Sequence, residues 1–205
     1  MSADQLKKLA VKGDSQSQYK LAFQLASQAD AEKHRKTCLA LLKSSAEQGN
    51  KEAQFMLGNW LIHGIGVRKS YRKAYNHYLS AARQGHALAS YEVGVCLANG
   101  HGIKKNISKA MKWYEIAASR GCVEAQESLA AKYFYGDYVP QNYEAAFFWY
   151  RKAAAKGDAE AQYALGYCYE FGLGTRKTLR AATNWYQKAS KQGCKDAEKA
   201  LRDLR

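Results

Sequence analysis

The chain has 205 residues, of which 47% are hydrophobic, and its formal net charge at pH 7 is +14. This composition excludes a disordered tail, and no apolar run approaches the ~20 residues that a membrane-spanning helix needs. One proline, Pro140, and many alanine, leucine, tyrosine and lysine residues favour helices.

The chain begins with MSADQLKKLAVKG, which has no apolar signal core. Ser2 and Gln5 fit a capping box at the start of a helix. We therefore expect a cytoplasmic chain, and a periplasmic or secreted one only if a signal peptide has been removed.

Glycine recurs with a period of 36 residues, at Gly49, Gly85, Gly121, Gly157 and Gly193. A period of this length predicts a stack of small structural units.

Each unit begins with a pattern typical of an amphipathic helix, here called helix A. Alanine stands four residues after each glycine, and leucine or valine stands eight residues after it. These positions are Ala53, Ala89, Ala125 and Ala161, with Leu57, Val93, Leu129 and Leu165.

A second helix, helix B, is predicted after a short loop in each unit. Glycine returns where helix A should end, and an N-capping residue type follows. The glycines are Gly64, Gly100, Gly136 and Gly172, and the predicted caps are Ser70, Asn106, Asn142 and Thr178. Helix B then carries Ala74, Ala110, Ala146 and Ala182, followed by Tyr78, Tyr114, Tyr150 and Tyr186. Tryptophan precedes three of these tyrosines, at Trp113, Trp149 and Trp185, whereas the first unit has His77.

The sequence resembles the Sel1-like repeat, a relative of the tetratricopeptide repeat. The matching stretches are Ala53–Val67, Ala89–Ile103 and Ala161–Thr175, with the helix B segments KAMKWYEIAASRG and ATNWYQKASKQG. The resemblance implies an all-α fold, a right-handed α-α superhelix (solenoid) of stacked helix-turn-helix repeats. It also implies that the A helices line the concave surface.

We predict a single α-solenoid domain over residues 1–205. Its parts are an N-terminal capping helix 2–12, a degenerate repeat 13–48, full repeats 49–84, 85–120, 121–156 and 157–192, and a C-terminal capping helix 193–205. The degenerate repeat has a loop without glycine at Ala29–His34. The third full repeat has Tyr138 where glycine is usual and Pro140 in its loop, so we expect a different bend there.

Charge separates the two helices of the full repeats. The four helix A segments hold 2 basic and 7 acidic residues, a net charge of −5, whereas the remainders hold 18 basic and 3 acidic residues, a net charge of +15.

The helix A positions that packing does not use predict a groove with aromatic and polar side chains, which is typical of a peptide-binding surface. The predicted groove residues are Phe23, Met56, Asn59, His63, Val95, Tyr135, Tyr167 and Phe171. The alternative is that these aromatic rings pack between neighbouring A helices, as we expect for Tyr91 and Tyr163. For Tyr135, Tyr167 and Phe171 both interpretations stay open.

Basic doublets recur at one position of the A–B loops and predict a basic ridge. They are Arg68-Lys69, Lys104-Lys105 and Arg176-Lys177. Such a ridge would attract an acidic protein, an anionic membrane or phosphates. A solvated edge without function is the alternative.

Enzyme chemistry is not indicated by the sequence. No catalytic residue, metal ligand set or cofactor motif is predicted: the Gly-x-Gly loops lack a preceding strand and a third glycine, and HExxH does not occur. The five cysteines show no metal-ligand spacing, and we expect reduced thiols. They are Cys38, Cys96, Cys122, Cys168 and Cys194.

We therefore predict a non-catalytic, monomeric protein-interaction module that binds another protein or peptide. The resemblance implies adaptors, scaffolds and, in bacteria, proteins that neutralise effectors. The alternative is a basic solenoid that binds nucleic acid or an anionic membrane surface through its loops and convex face. An enzyme is the third and least favoured possibility.

Overall fold

The computed structural model describes residues 3–27 and 31–204, and this part of the chain contains twelve α-helices and no β-strand. The helices are α1 (Ala3–Val11), α2 (Ser15–Ala26), α3 (Ala31–Glu47), α4 (Lys51–His63), α5 (Tyr71–Arg83), α6 (Ala87–Asn99), α7 (Ile107–Ser119), α8 (Val123–Tyr135), α9 (Tyr143–Ala155), α10 (Ala159–Phe171), α11 (Leu179–Ser190) and α12 (Lys195–Asp203). The all-α prediction is confirmed. None of the described helices is both long and apolar enough to span a bilayer.

Contacts between residues divide the chain into two compact units. Unit 1 ends at Trp113 and unit 2 begins at Tyr114. In unit 1, consecutive helices pack against each other from α1 through to α6. In unit 2, helices α8 to α12 do the same. Four predicted A–B pairs therefore form helical hairpins, namely α2–α3, α4–α5, α8–α9 and α10–α11. In the full repeats, α4, α6, α8 and α10 are the A helices.

The ends of the A helices follow the predicted capping chemistry. Helix α10 begins after Asp158, whose Oδ1 accepts a hydrogen bond of 2.7 Å from the backbone N–H of Ala161. It ends at Gly172, which adopts φ +72°. The other predicted C-caps, Gly64, Gly100 and Gly136, have the same left-handed conformation, so the glycine period reflects a backbone requirement.

The predicted caps of the B helices are correct in three of four cases. The side chains of Ser70, Asn106 and Asn142 each accept a hydrogen bond from a backbone N–H three residues later. Thr178 stands at the N-cap of α11 without a side-chain cap bond, because its hydroxyl donates to the carbonyl of Arg176 at 3.3 Å.

The core consists of the predicted alanines and tyrosines. Ala53, Ala89, Ala125 and Ala161 are all 0% exposed. The helix B tyrosines Tyr78, Tyr114, Tyr150 and Tyr186 are also buried. The small alanines thus allow the helices to approach closely, and the tyrosine rings fill the remaining space between them.

The less regular segments differ in part from expectation. Ser2 of the proposed capping box lies outside the described residues, as does part of the Ala29–His34 loop. Helix α3 already begins at Ala31, so the described end of that loop is helical. Tyr138 adopts φ +68°, close to the φ +66° of Gly174 at the same repeat position, so tyrosine keeps the local conformation of glycine.

Candidate partner-binding site

Unit 2 contains a cavity of about 260 Å³ among helices α8, α9 and α10. Its wall is aromatic except for one alanine. We call it the aromatic pocket, and it is lined by Phe134, Tyr135, Tyr150, Tyr163, Ala164 and Tyr167.

Phe134 holds the tyrosines in place around this pocket. The centroid of its ring lies 5.1 Å from that of Tyr135, 6.2 Å from that of Tyr150 and 6.1 Å from that of Tyr167, and all three contacts are edge-on. Edge-on aromatic pairs contribute about 0.5–1.5 kcal/mol beyond their buried area. The walls are therefore fixed before any partner binds, which lowers the entropic cost of recognition.

One small residue, Ala164, lines the pocket. The same helix A position carries Met56, Glu92 and Ser128 in the first, second and third full repeats. The methyl group of Ala164 leaves the space open between the rings of Tyr163 and Tyr167.

The exposed fractions of the rings near the pocket show which of them are accessible and which pack inside. Tyr135 is 69% exposed and Phe171 is 52% exposed, so neither is interior filler. Tyr167 is half-buried, and its ring centroid lies 4.5 Å from that of Phe171. Tyr163 was expected to pack between neighbouring A helices, but its ring contacts that of Tyr186 on the B helix α11, with a centroid distance of 5.6 Å.

A second hollow, of about 240 Å³, lies beside the aromatic pocket and includes Phe171. Its lining includes one lysine, Lys199, and three carboxylates, which are Glu170, Asp196 and Asp203. Glu170 Oε2 accepts a hydrogen bond of 2.6 Å from the hydroxyl of Tyr186. The rings of the pocket thus continue into an acidic rim.

Several carboxylates of unit 2 interact close to the pocket. Burial raises the pKa of Glu127 on α8, and the nearby carboxylates of Asp158, Glu160 and Glu124 raise it further. Burial also raises the pKa of the Tyr150 hydroxyl, with smaller effects of Tyr135, Cys168 and Glu127. A cation bound beside Glu127 would relieve the repulsion among these carboxylates.

The other predicted groove residues belong to unit 1. Phe23 on α2 is 52% exposed and His63 on α4 is exposed, whereas Met56, Asn59 and Val95 are half-buried. Asn59 Oδ1 accepts a hydrogen bond of 2.6 Å from the hydroxyl of Tyr78, so it also stabilises the hairpin of α4 and α5. Binding by these five residues stays a prediction.

The six residues of the predicted basic ridge are all exposed: Arg68, Lys69, Lys104, Lys105, Arg176 and Lys177. Lys69 Nζ lies 4.7 Å from the centroid of the Tyr71 ring. In the described part of the chain, none of the six forms an ion pair with a carboxylate.

The described residues include no group of three or more His, Cys, Asp or Glu side chains that could hold a metal ion. All five thiols are buried and free. Burial raises the pKa of Cys96, Cys122 and Cys168 to about 12, so these thiols are protonated near neutral pH and are poor nucleophiles.

Sequence reasoning named Tyr135 and Tyr167 as groove candidates but missed Phe134 and Tyr150. The sequence did contain a signal at Phe134: an aromatic residue stands there, whereas the same position holds Ile62, Ala98 and Glu170 in the other full repeats. Tyr150 was assigned only to the core of its hairpin.

The repeat can now be assigned by comparison. The Sel1 repeat model matches five consecutive stretches, residues 15–50, 51–86, 87–122, 123–158 and 159–194. The chain belongs to the Sel1 repeat family. The first stretch, predicted as a degenerate repeat, is thus recognised with the other four. Sel1 repeat proteins are protein-interaction scaffolds and are generally non-catalytic.

Solved structures agree with this assignment. The c5321 protective antigen of uropathogenic Escherichia coli is 31% identical, with a TM-score of 0.90 over 100% of this chain and 44% of that one. A Sel1 repeat protein from Oxalobacter formigenes is also 31% identical, with a TM-score of 0.91 over 98% of this chain and 58% of that one. This chain therefore spans about half the length of these two relatives. The predicted class, an all-α helical-repeat solenoid, is confirmed.

More distant structures share the fold alone. The immunity protein Pa5087 of Pseudomonas aeruginosa is 24% identical, with a TM-score of 0.59 over 89% of this chain and 67% of that one. No protein with curated annotation matches the sequence significantly.

Proposed function

We propose that this Sel1 repeat protein binds and regulates one specific protein partner through the aromatic pocket and the adjoining exposed Phe171. The ligand segment presents a lysine or arginine side chain flanked by apolar residues. The protein does this without catalysis, as a monomer in the cytoplasm, and neutralising an effector is one form that such regulation takes.

Five aromatic rings converge on one open cavity, with Tyr135 exposed among them and Phe171 exposed beside them, and this convergence carries the proposal. Aromatic anchors in preformed pockets contribute most of the binding energy at protein interfaces. The adjoining hollow has three acidic side chains, Glu170, Asp196 and Asp203, against one lysine, Lys199, and this excess of negative charge complements a basic segment.

The test is affinity purification from the source cells with the wild-type chain and a Tyr135→Ala/Phe171→Ala variant. Both side chains are more than half exposed, so their removal should leave the fold intact. We expect the recovered partner to be lost from the variant, since each anchor contributes on the order of 2 kcal/mol at an interface hot spot.

A Phe148→Ala/Leu179→Ala variant is the matched control, because both side chains are exposed and apolar and lie on B helices. Retention of the partner by this control, with loss from the pocket variant, supports the proposal. Equal recovery by the two variants would contradict it.

A second candidate function is supported by the exposed and unpaired basic ridge residues. A ridge that binds nucleic acid or an anionic membrane should lose affinity steeply between low and moderate salt, without partner specificity. Binding that disappears on charge reversal at Lys104, Lys105, Arg176 and Lys177, and survives Tyr135→Ala/Phe171→Ala, would favour this function.

A further inference from the structure

Unit 1 contains a larger cavity, of about 550 Å³, remote in sequence from the aromatic pocket. It lies among helices α3, α4 and α5 and the loop between α4 and α5. Its size is within the range of about 300–1,000 Å³ that is typical of small-molecule sites.

This cavity is open because three large aromatic side chains are missing. Leu39, Leu61 and His77 line it, and 108 residues later, after three repeat periods, the same positions hold Phe147, Tyr169 and Trp185. Those three side chains pack against one hydrophobic core cluster, and the rings of Phe147 and Tyr169 meet edge-on at 5.3 Å. Two leucines and a histidine cannot fill the space that these three rings fill.

The floor of the cavity is apolar and its rim is cationic. Leu57 and Leu61 form the buried floor, with exposed fractions of 4% and 6%. Lys43, Arg68 and Lys73 stand at the exposed rim, with a single carboxylate, Glu47, beside them. We call this site the cationic cavity.

The rim cations are available to a ligand. Within the described part of the chain, Lys43, Arg68 and Lys73 form no ion pair. In unit 2 the counterpart of Lys43 is Arg151, whose guanidinium lies 6.0 Å from the centroid of the Phe147 ring. The counterpart of Phe147 in unit 1 is Leu39, so no aromatic ring at this position covers the ammonium group of Lys43.

His77 adds a polar group inside the cavity. Burial lowers its pKa, and the nearby Lys73 lowers it further, so the imidazole is neutral near pH 7. A neutral imidazole can donate one hydrogen bond and accept another.

We propose that the cationic cavity binds a small apolar carboxylic acid, with its hydrocarbon chain on Leu57 and Leu61 and its carboxylate among Lys43, Arg68 and Lys73. Apolar area supplies most of the affinity, and the three cations select the ionised acid over its neutral analogue.

Decanoate is the probe, and its binding to the full chain is measured by isothermal titration calorimetry, with decanol and acetate as comparison ligands. We expect saturable 1:1 binding of decanoate, weaker binding of decanol and none of acetate. Absence of saturable decanoate binding at submillimolar concentration, or equal affinity for decanol, would overturn the proposal.

Two variants test the location of the site. His77→Trp restores the residue of the later repeats and should abolish decanoate binding, while thermal unfolding shows that the protein stays folded. Lys43→Ala/Lys73→Ala removes two exposed rim charges and should weaken decanoate binding at least about fivefold, with decanol unchanged.

Lys109→Ala/Lys112→Ala is the charge-matched control, because it removes two exposed lysines of α7 that do not line the cavity. This control should bind decanoate as the wild type does. If the control lost affinity as much as Lys43→Ala/Lys73→Ala, or if a folded His77→Trp variant bound normally, the cavity would not be the site.

Discussion

Buried glutamines repeat along the chain and join neighbouring repeats through their side-chain amides. Each donates from Nε2 to the carbonyl of an alanine eight residues before it. The glutamines are Gln18, Gln54, Gln126 and Gln162. Three of them also accept a hydrogen bond from a glutamine 30 residues later: Gln48, Gln84 and Gln192 donate to Gln18, Gln54 and Gln162.

Gln126 is the exception, because residue 156 is a lysine. Lys156 Nζ donates to the carbonyl of Gly121 instead, and the buried Oε1 of Gln126 has no hydrogen-bond partner in the described structure. We predict that Lys156→Gln completes the missing bond and raises the free energy of unfolding by about 1 kcal/mol.

Urea denaturation measures this effect, with Lys191→Gln as the control. Lys191 is also exposed, near the end of α11, so the control removes one charge without a new partner for Gln126. A Lys156→Gln variant no more stable than Lys191→Gln would show that the unpaired Oε1 costs nothing.

The glutamine period was visible in the sequence, but its role was not. Spacing shows that residues share a position, whereas a bond between residues 30 apart depends on how consecutive hairpins pack. Thr178 differs for a local reason: its hydroxyl donates to the carbonyl of Arg176, two residues earlier, so the cap that its residue type predicted does not form.

At the scale of helices and loops, the glycine positions were predictable because their chemistry is local. Gly174 carries a second constraint that the sequence does not show. A Cβ added there would overlap the carbonyl oxygen of Tyr143 and lie 2.7 Å from the backbone nitrogen of Glu144, at the start of α9. Gly157 also has a positive φ, of +94°, but a Cβ there would meet no atom within 4 Å.

Substitutions at these two glycines distinguish the cost of a positive φ from the cost of a steric clash. Gly157→Ala should cost about 1–2 kcal/mol through the left-handed conformation alone. Gly174→Ala should cost at least about 2 kcal/mol more, because the backbone of α9 must move away. Thermal unfolding of both variants measures the difference, and equal melting temperatures would contradict the close approach.

The two cavities show where prediction from patterns stops. Repeat positions singled out Tyr135, Tyr167 and Phe171 as groove candidates without deciding between access and packing, and they also showed His77 in place of tryptophan. The aromatic pocket and the cationic cavity depend on volume: Ala164 between two tyrosines, or Leu39 and Leu61 beside a histidine. Volume is a property of several helices together, so one helix pattern does not reveal it.

At the scale of the whole molecule, buried thiols and phenols make stability sensitive to high pH. Burial raises the pKa of Cys96, Cys122 and Cys168 from an ordinary value of 9.0 to about 12, and it raises the pKa of Tyr78 and Tyr186 above 10.0. As pH rises past the ordinary values, the unfolded chain loses protons that the folded chain keeps. The free energy of unfolding therefore decreases from about pH 9 upward, by up to about 1.4 kcal/mol per pH unit for each group.

Urea denaturation between pH 8 and pH 11 tests whether the free energy of unfolding decreases as pH rises, with Cys168→Ala as the comparison. The variant lacks one buried thiol, so its free energy of unfolding should decline less steeply above pH 9 even if it is less stable throughout. Parallel declines for the two proteins would contradict the assignment of this pH dependence to buried thiols.

The central claim is that the aromatic pocket of unit 2 binds the partner. Hydrogen–deuterium exchange of the chain, alone and in the purified complex, tests it most directly. We predict slower exchange in α8 and α10, which carry Tyr135, Tyr167 and Phe171, with little change in the basic loops at Arg68-Lys69 and Lys104-Lys105. Protection confined to those loops, with α8 and α10 unchanged, would contradict the claim.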